Sequence, residues 1–254
     1  MYSRRGTVNG TPVTYELRWY AHRTLRGIYA MELEVHLNGQ SSGVTLTLKN
    51  NRGSESEDIT FEAPVTSTGS YSTCGSTKIP ETPEGQATTV CLVSDVVPST
   101  LQITKETCGK TFTFLSAYRT SLDSADARAA VRSDYENARA LAASGSLLTS
   151  HIDGWSQLWQ SGIEVSGRPD VAVAVNASLY AILSSVRDDW PYGLAPGGLT
   201  NYYNGHSFWD TETWMYPPLL FLHPQISQQL LRYRFDRIDG AKKKAASYSP
   251  PWSG

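Results

Sequence analysis

The sequence has no apolar run near the roughly 18 residues a membrane-spanning helix requires. Its first residues, "MYSRRGTVNGTPVTYE", lack the apolar core of a secretory leader. A cytosolic protein with no membrane partner is therefore expected. Cysteine is scarce. Cys74, Cys91 and Cys108 form an odd set without CxxC spacing, which argues against a disulfide framework and against a zinc site. Free thiols are the expectation, and one disulfide with a spare thiol is the alternative. The formal net charge is only -2 and no basic patch is present, so nucleic acid is not an expected partner. No GxGxxG, phosphate-loop, HExxH or GxSxG pattern occurs, which removes dinucleotide, P-loop, zinc-protease and serine-hydrolase readings. "APGGL" (195–199) has glycines but no Lys or Ser/Thr in phosphate-loop register, and it reads as a turn. No cofactor and no metal are expected, and nothing in the sequence reports an oligomeric state.

The sequence does carry aromatic residues, with 7 Trp and 14 Tyr among 254 residues. They suit a core, and equally a surface on which sugars stack. With 40% hydrophobic and 18% charged residues, the chain has the composition of a globular protein of one or two domains.

The first 120 residues read as strands. "MELEVHL" alternates Met31, Leu33, Val35 and Leu37 on one face, and "GVTLTLKN" does the same with Val44, Leu46 and Leu48. "QATTVCLVSDVV", "STLQITKE" and "KTFTFLSAYR" follow between turn-rich gaps, the pattern of an antiparallel sandwich. The stretch 54–85 is polar and reads as an exposed excursion around short strands. The His22–Arg23 pair within this region reads as structural. Near Ser121 the composition turns Ala-rich. Ala127, Val131, Tyr135, Ala138 and Ala142 fall at helical spacing, with Asp123 or Ser124 as the cap. A second helix is expected with Leu148, Ile152, Trp155, Leu158 and Trp159 on its buried stripe, stopped by Gly162. A third follows Pro169 and buries Val171, Val175, Leu179, Ile182 and Val186. A last amphipathic helix carries Ile226, Leu230, Tyr233 and Ile238. Strands followed by helices, without alternation, give an α+β class. The divisions expected are 1–120, 121–165 and 166–254. The sequons at Asn9 and Asn176 are not expected to be used, because no leader is seen and Asn176 falls in a helix.

The most concentrated chemistry lies in "NGHSFWDTETWMYPP" (204–218), where His206, Trp209, Asp210 and Glu212 are candidates. A tryptophan beside a carboxylate suits carbohydrate. The indole face covers the C–H face of a sugar, and the carboxylate accepts from two neighbouring hydroxyls. The same residues also fit a helix start. Aromatics there are commonly core, and Asp210 in "DTET" can serve as an N-cap.

The stretch Gly205, His206, Phe208, Trp209, Asp210, Glu212, Trp214, Met215 and Pro217 resembles a motif of glycoside hydrolase family 65. "LAPGGLTN", "HPQISQQLLRYRFDRIDGA", "HIDGWSQLWQSGIEVSG" and "YAHRTLRGIY" resemble its flanking segments. The resemblance implies an N-terminal antiparallel β-sandwich (1–120), a helical linker (121–165) and the first helices of an incomplete (α/α)6 barrel (166–254). It implies that Trp209 and Asp210 contact the sugar. The general acid would be a glutamate of a later Pro-Asp-Glu segment, which this sequence does not contain. No catalytic residue is therefore assigned, and the chain is expected to be a truncated, inactive portion of an inverting α-glucosidase. The substrate implied is the glucosyl-galactosyl-hydroxylysine linkage of collagen-type glycans. A phosphorylase or trehalase of the same family, or a carbohydrate-binding or regulatory module without catalysis, are the alternatives. The apolar residues at 219–222 and 230–233 would then lie exposed for lack of helical neighbours.

Overall fold

A computed structural model describes residues 1–8, 10, 13–38, 43–49, 55–80, 85–190, 192–198, 203 and 206–248. Asn9 with its sequon partner Thr11, Leu199 of "APGGL" and Gly205 lie outside them. The chain forms two compact units, Met1–Trp155 and Ser156–Gly254.

The first unit is built on an antiparallel sheet of eight strands. Its order is β1 (Tyr2–Thr7), β2 (Val13–Ala21), β3 (Ile28–Leu37), β10 (Thr111–Thr120), β8 (Thr89–Asp95), β7 (Ser70–Thr77) and β5 (Ile59–Phe61). Strand β6 (Val65–Ser67) also pairs with β7, and β4 (Val44–Thr47) pairs with β9 (Thr100–Ile103) as a separate ribbon. Register decides which residues meet. Ile28 and Ala30 lie opposite Ala117 and Leu115. Together with Tyr20, Cys74, Cys91 and Val93, these residues face helix α1 (Ala127–Ala143) through Ala127, Val131 and Ala138. Four buried alanines in this layer let the helix backbone approach the sheet closely. On the other face Val13, Leu33, Val35 and Phe112 pack on Leu46, Leu101 and Ile103 of the ribbon. Both faces of β3 are thus covered, so the alternation over Met31–Leu37 describes one face alone. Within the stretch expected to be an excursion, β7 is instead a full member of the sheet, because its Cys74 faces the core.

Helix α1 is capped by Asp126, whose carboxylate accepts from the Ala129 N–H at 2.9 Å. The expected caps are displaced: Asp123 closes the preceding turn, accepting from the Thr120 hydroxyl at 2.9 Å. Asp95 ties α1 to the sheet. Its carboxylate accepts from the Leu115 N–H at 2.6 Å, from the Tyr135 hydroxyl, and from Arg139 at 3.4 Å. Burial, then the bond to Asp95, pushes the Tyr135 phenol up to about 12.

Helix α2 (Leu147–Leu158) buries Leu147, His151 and Gly154, while Ile152 and Trp159 are exposed. The expected stripe is off by one residue, because polar contacts and a close approach set the docking. His22 is buried, and its Nδ1 accepts from the Leu25 N–H at 3.0 Å. That bond leaves Nε2 to donate to the Leu147 carbonyl at 3.0 Å. His151 Nδ1 accepts from the Arg23 N–H at 3.2 Å, and its ring lies 4.5 Å from that of Tyr20. A Cβ at Gly154 would stand 2.8 Å from the Thr24 methyl. The pair His22–Arg23 is structural, as its sequence context suggested.

Cys74 and Cys91 form a disulfide, and Cys108 is free. The free-thiol expectation is thereby corrected to its alternative. The two cysteines are 17 apart in sequence, yet they are direct partners in the β7–β8 ladder. Alkylation of the unfolded, non-reduced chain is expected to label Cys108 alone, and prior reduction to expose three thiols. Three labels without reduction would show that the bridge does not form.

In the second unit, α3 (Pro169–Ser184) starts with proline in its first turn, where the missing N–H has no intrahelical acceptor. Leu179, Leu183 and Val186 are buried, whereas Val171 is exposed. Asn176 is also exposed on this helix. Helices α4 (Tyr216–Leu222), α5 (Pro224–Asp236) and α6 (Ile238–Ser247) follow. The single long helix expected at the end breaks at Arg237, with φ −111 and ψ 10, and Ile238 beyond it is exposed. The apolar stripe expected to be exposed divides. Leu219 and Leu230 are buried, and Leu220, Phe221 and Leu231 are exposed. Consecutive helical residues point about 100° apart, so a run of apolar residues cannot share one face. Among the described residues no helix is long and apolar enough to cross a membrane.

Candidate functional site

The segment around Trp209 and Asp210 opens the helix that becomes α4. Residues Thr211–Met215 form a π-helical turn in which the Tyr216 N–H reaches back to the Thr211 carbonyl. Pro217 and Pro218 follow. Neither supplies an N–H, and each ring crowds the preceding turn, which disfavours a tight α-helical ladder here. A widened turn of this type commonly marks a functional site.

Asp210 occupies the N-cap position but its side chain makes no capping bond. Among the described residues its carboxylate has no hydrogen-bond partner. The capping explanation therefore does not account for Asp210. Trp209 is 67% exposed and Trp214 54% exposed, so the core explanation does not account for these rings either. Their centroids lie 5.0 Å apart with planes at 69°, forming an aromatic corner beside Asp210. A flat indole face and an unoccupied carboxylate on one short turn can grip a polyol from its C–H side and its hydroxyl edge.

The other two candidates are engaged elsewhere. Glu212 pairs with Arg234 of α5 at 2.6 and 3.0 Å, a two-pronged contact. That bond, foremost, raises the pKa of Arg234 and keeps the guanidinium charged. His206 is exposed, with Nδ1 3.1 Å from the Tyr203 carbonyl. Tyr203 itself has φ 59, a left-handed conformation uncommon for an aromatic residue.

Supporting contacts were not legible from the motif. The Thr211 hydroxyl is buried and donates to the Leu194 carbonyl at 2.8 Å. Gly193 lies so close that a Cβ there would stand 2.0 Å from Ser207 Oγ and 2.8 Å from the Tyr233 ring. The glycine signal in "YGLAPGG" marks this approach, whereas nothing in the sequence pairs Arg234 with Glu212. A separate groove of about 270 Å³ in the first unit lies over Cys74 and Cys91, under the exposed Arg128–Glu62 pair. A second, of about 570 Å³, is lined by Trp159, Gln160, Glu164 and Asn176 among others. Among the described residues no group of three or more His, Cys, Asp or Glu side chains could hold a metal ion.

Residues 177–250 match the family model described as the glycosyl hydrolase family 65 central catalytic domain. The chain is 36% identical to the protein-glucosylgalactosylhydroxylysine glucosidase of Dictyostelium discoideum, over 97% of this chain and 35% of that protein. It is 44% identical to a kojibiose hydrolase of Flavobacterium johnsoniae, over 43% of this chain and 16% of that protein. A solved structure described as a kojibiose phosphorylase from human microbiome aligns with a TM-score of 0.68 at 15% identity. It covers 96% of this chain and 34% of that one, a likeness of fold. The chain spans about a third of the length of the glucosidases it matches along most of its length. With its α+β architecture and the motif from His206 to Pro217, the chain is similar to glycoside hydrolase family 65, whose central catalytic domain its residues 177–250 match.

Proposed function

We propose that this chain supplies the N-terminal part of an inverting α-glucosidase, and that Trp209 and Asp210 bind the glucosyl unit. The observation carrying this reading is the exposed Trp209 beside a carboxylate that, among the described residues, neither caps the helix nor pairs with a cation. Similarity to a protein-glucosylgalactosylhydroxylysine glucosidase along 97% of the chain supports a glucosyl-galactosyl-hydroxylysine linkage as substrate. Residues 1–120 form the sandwich, 121–165 the linker and 166–254 the beginning of the catalytic barrel. Inversion needs an acid and a base about 6.5–9.5 Å apart across the scissile bond. Glu212 is held by Arg234 and serves neither role. On this reading the proton donor lies outside these 254 residues, and the chain alone is inactive. The Cys74–Cys91 bridge supports folding in an oxidising compartment rather than in the cytosol.

Incubation of the purified chain with kojibiose or with glucosyl-galactosyl-hydroxylysine is expected to release no glucose. A missing general acid alone lowers rates by about 10²–10⁴-fold. Glucose release that disappears on Asp210→Ala would overturn this reading. A phosphorylase is the second reading, favoured by 38% identity over 105 residues to a nigerose phosphorylase of Lachnoclostridium phytofermentans. Phosphate-dependent release of glucose 1-phosphate by a longer form of the protein would select it.

A further inference from the structure

We propose that Arg234 is a positioning residue that holds the Trp209–Asp210 pair in place by gripping the chain on both sides of it. This rests on the reading of those two residues as the sugar contact. Arg234 lies on α5, 22 residues after Glu212 and 26 after Phe208. Its Nε donates to Glu212 Oε1 at 2.6 Å, and its Nη2 to Glu212 Oε2 at 3.0 Å. The same Nη2 donates to the Phe208 carbonyl at 2.8 Å. Phe208 and Glu212 are the residues that bracket Trp209, Asp210 and Thr211 in the chain. Thr211, between them, is fixed by its own bond to Leu194.

The backbone from 208 to 212 is therefore anchored at three points, while the Asp210 carboxylate has no anchor of its own among the described residues. The placement of its oxygens relative to the two indoles follows from the backbone, and the backbone follows from Arg234. A planar fork with several donors at fixed angles can meet a carboxylate and a carbonyl together. An ammonium cannot reproduce that geometry. The ion pair is partly exposed, so its contribution to overall stability is small, and its role is one of geometry.

The test uses the 254-residue chain with Arg234→Met, Arg234→Lys and Glu212→Gln. Trp209 and Trp214, 5.0 Å apart and near perpendicular, should give an exciton couplet in circular dichroism that Trp214→Phe removes. Kojibiose affinity is read by tryptophan fluorescence. Arg234→Met is expected to lose the couplet and at least about tenfold in affinity, the effect of losing one hydrogen bond to a charged group. Its thermal midpoint should stay near that of the parent. Arg234→Lys should not rescue it, and Glu212→Gln should lie between. An unchanged couplet in Arg234→Met and Glu212→Gln overturns the positioning role. If instead Trp209→Ala and Asp210→Ala leave kojibiose binding unaltered, the sugar-contact reading fails. The couplet then still decides the role of Arg234.

Discussion

Asp95→Ala is expected to lower the stability of the first unit by about 2–4 kcal/mol. Asp95 lies in the layer between sheet and helix, and its carboxylate accepts from the Leu115 N–H and the Tyr135 hydroxyl. Leu115 is fully buried. Removing the acceptor leaves the buried Leu115 N–H unpaired, at roughly 1–3 kcal/mol, and takes from the half-buried Tyr135 hydroxyl one of its two partners, the other being Ser70, at roughly 1 kcal/mol. The bond to Arg139 adds little, because that guanidinium is about half exposed. Arg139→Ala should therefore change stability by about 1 kcal/mol or less. In a unit of this size the Asp95 change corresponds to a fall in midpoint of roughly 4–16 °C. Urea unfolding followed by circular dichroism checks the difference. The tyrosine titration checks its cause, since Tyr135, held at about 12, should ionise at lower pH without a neighbouring carboxylate. Equal losses from Asp95→Ala and Arg139→Ala would show that the ion pair, and not the neutral donors, matters.

Acidification is expected to loosen the first unit before its carboxylates begin to protonate. Burial lowers the pKa of both His22 and His151, the latter to about 4 from an ordinary 6.5. His22, Arg23 and the N-terminal amine face His151 with like charge and add to its shift. For His22, the bond to the Leu147 carbonyl opposes the effect of burial without cancelling it. Because both folded values are depressed, the unfolded chain binds more protons below about 6.5, so stability falls as pH falls. It is complete above pH 6.5 and is lost toward pH 4. The shift of His151 corresponds to about 3 kcal/mol at roughly 1.4 kcal/mol per unit. Thermal midpoints measured between pH 7 and pH 5 should decline in the parent chain, and decline less in His151→Gln. Parallel declines would show that other groups set the acid limit.

The sequence by itself determined the class of the fold and located the turn that carries Trp209 and Asp210. Alternating strands and then amphipathic helices specify segregated layers, because each period can bury only one kind of face. The string from His206 to Pro217 is legible because its chemistry is local: ring, carboxylate and prolines sit within a dozen residues. Tertiary structure alone decided what depends on partners distant in sequence. Cys74 meets Cys91 through strand register. The face of α2 is chosen by His22, more than 120 residues away, and not by its apolar stripe. Glu212 and Asp210 look alike in sequence, two carboxylates on one turn. Arg234 arrives from the next helix and takes one of them. The carboxylate left without a partner among the described residues is the one beside the exposed indole. Periodicity reports which residues a helix or strand can turn inward, and only packing decides what they find there.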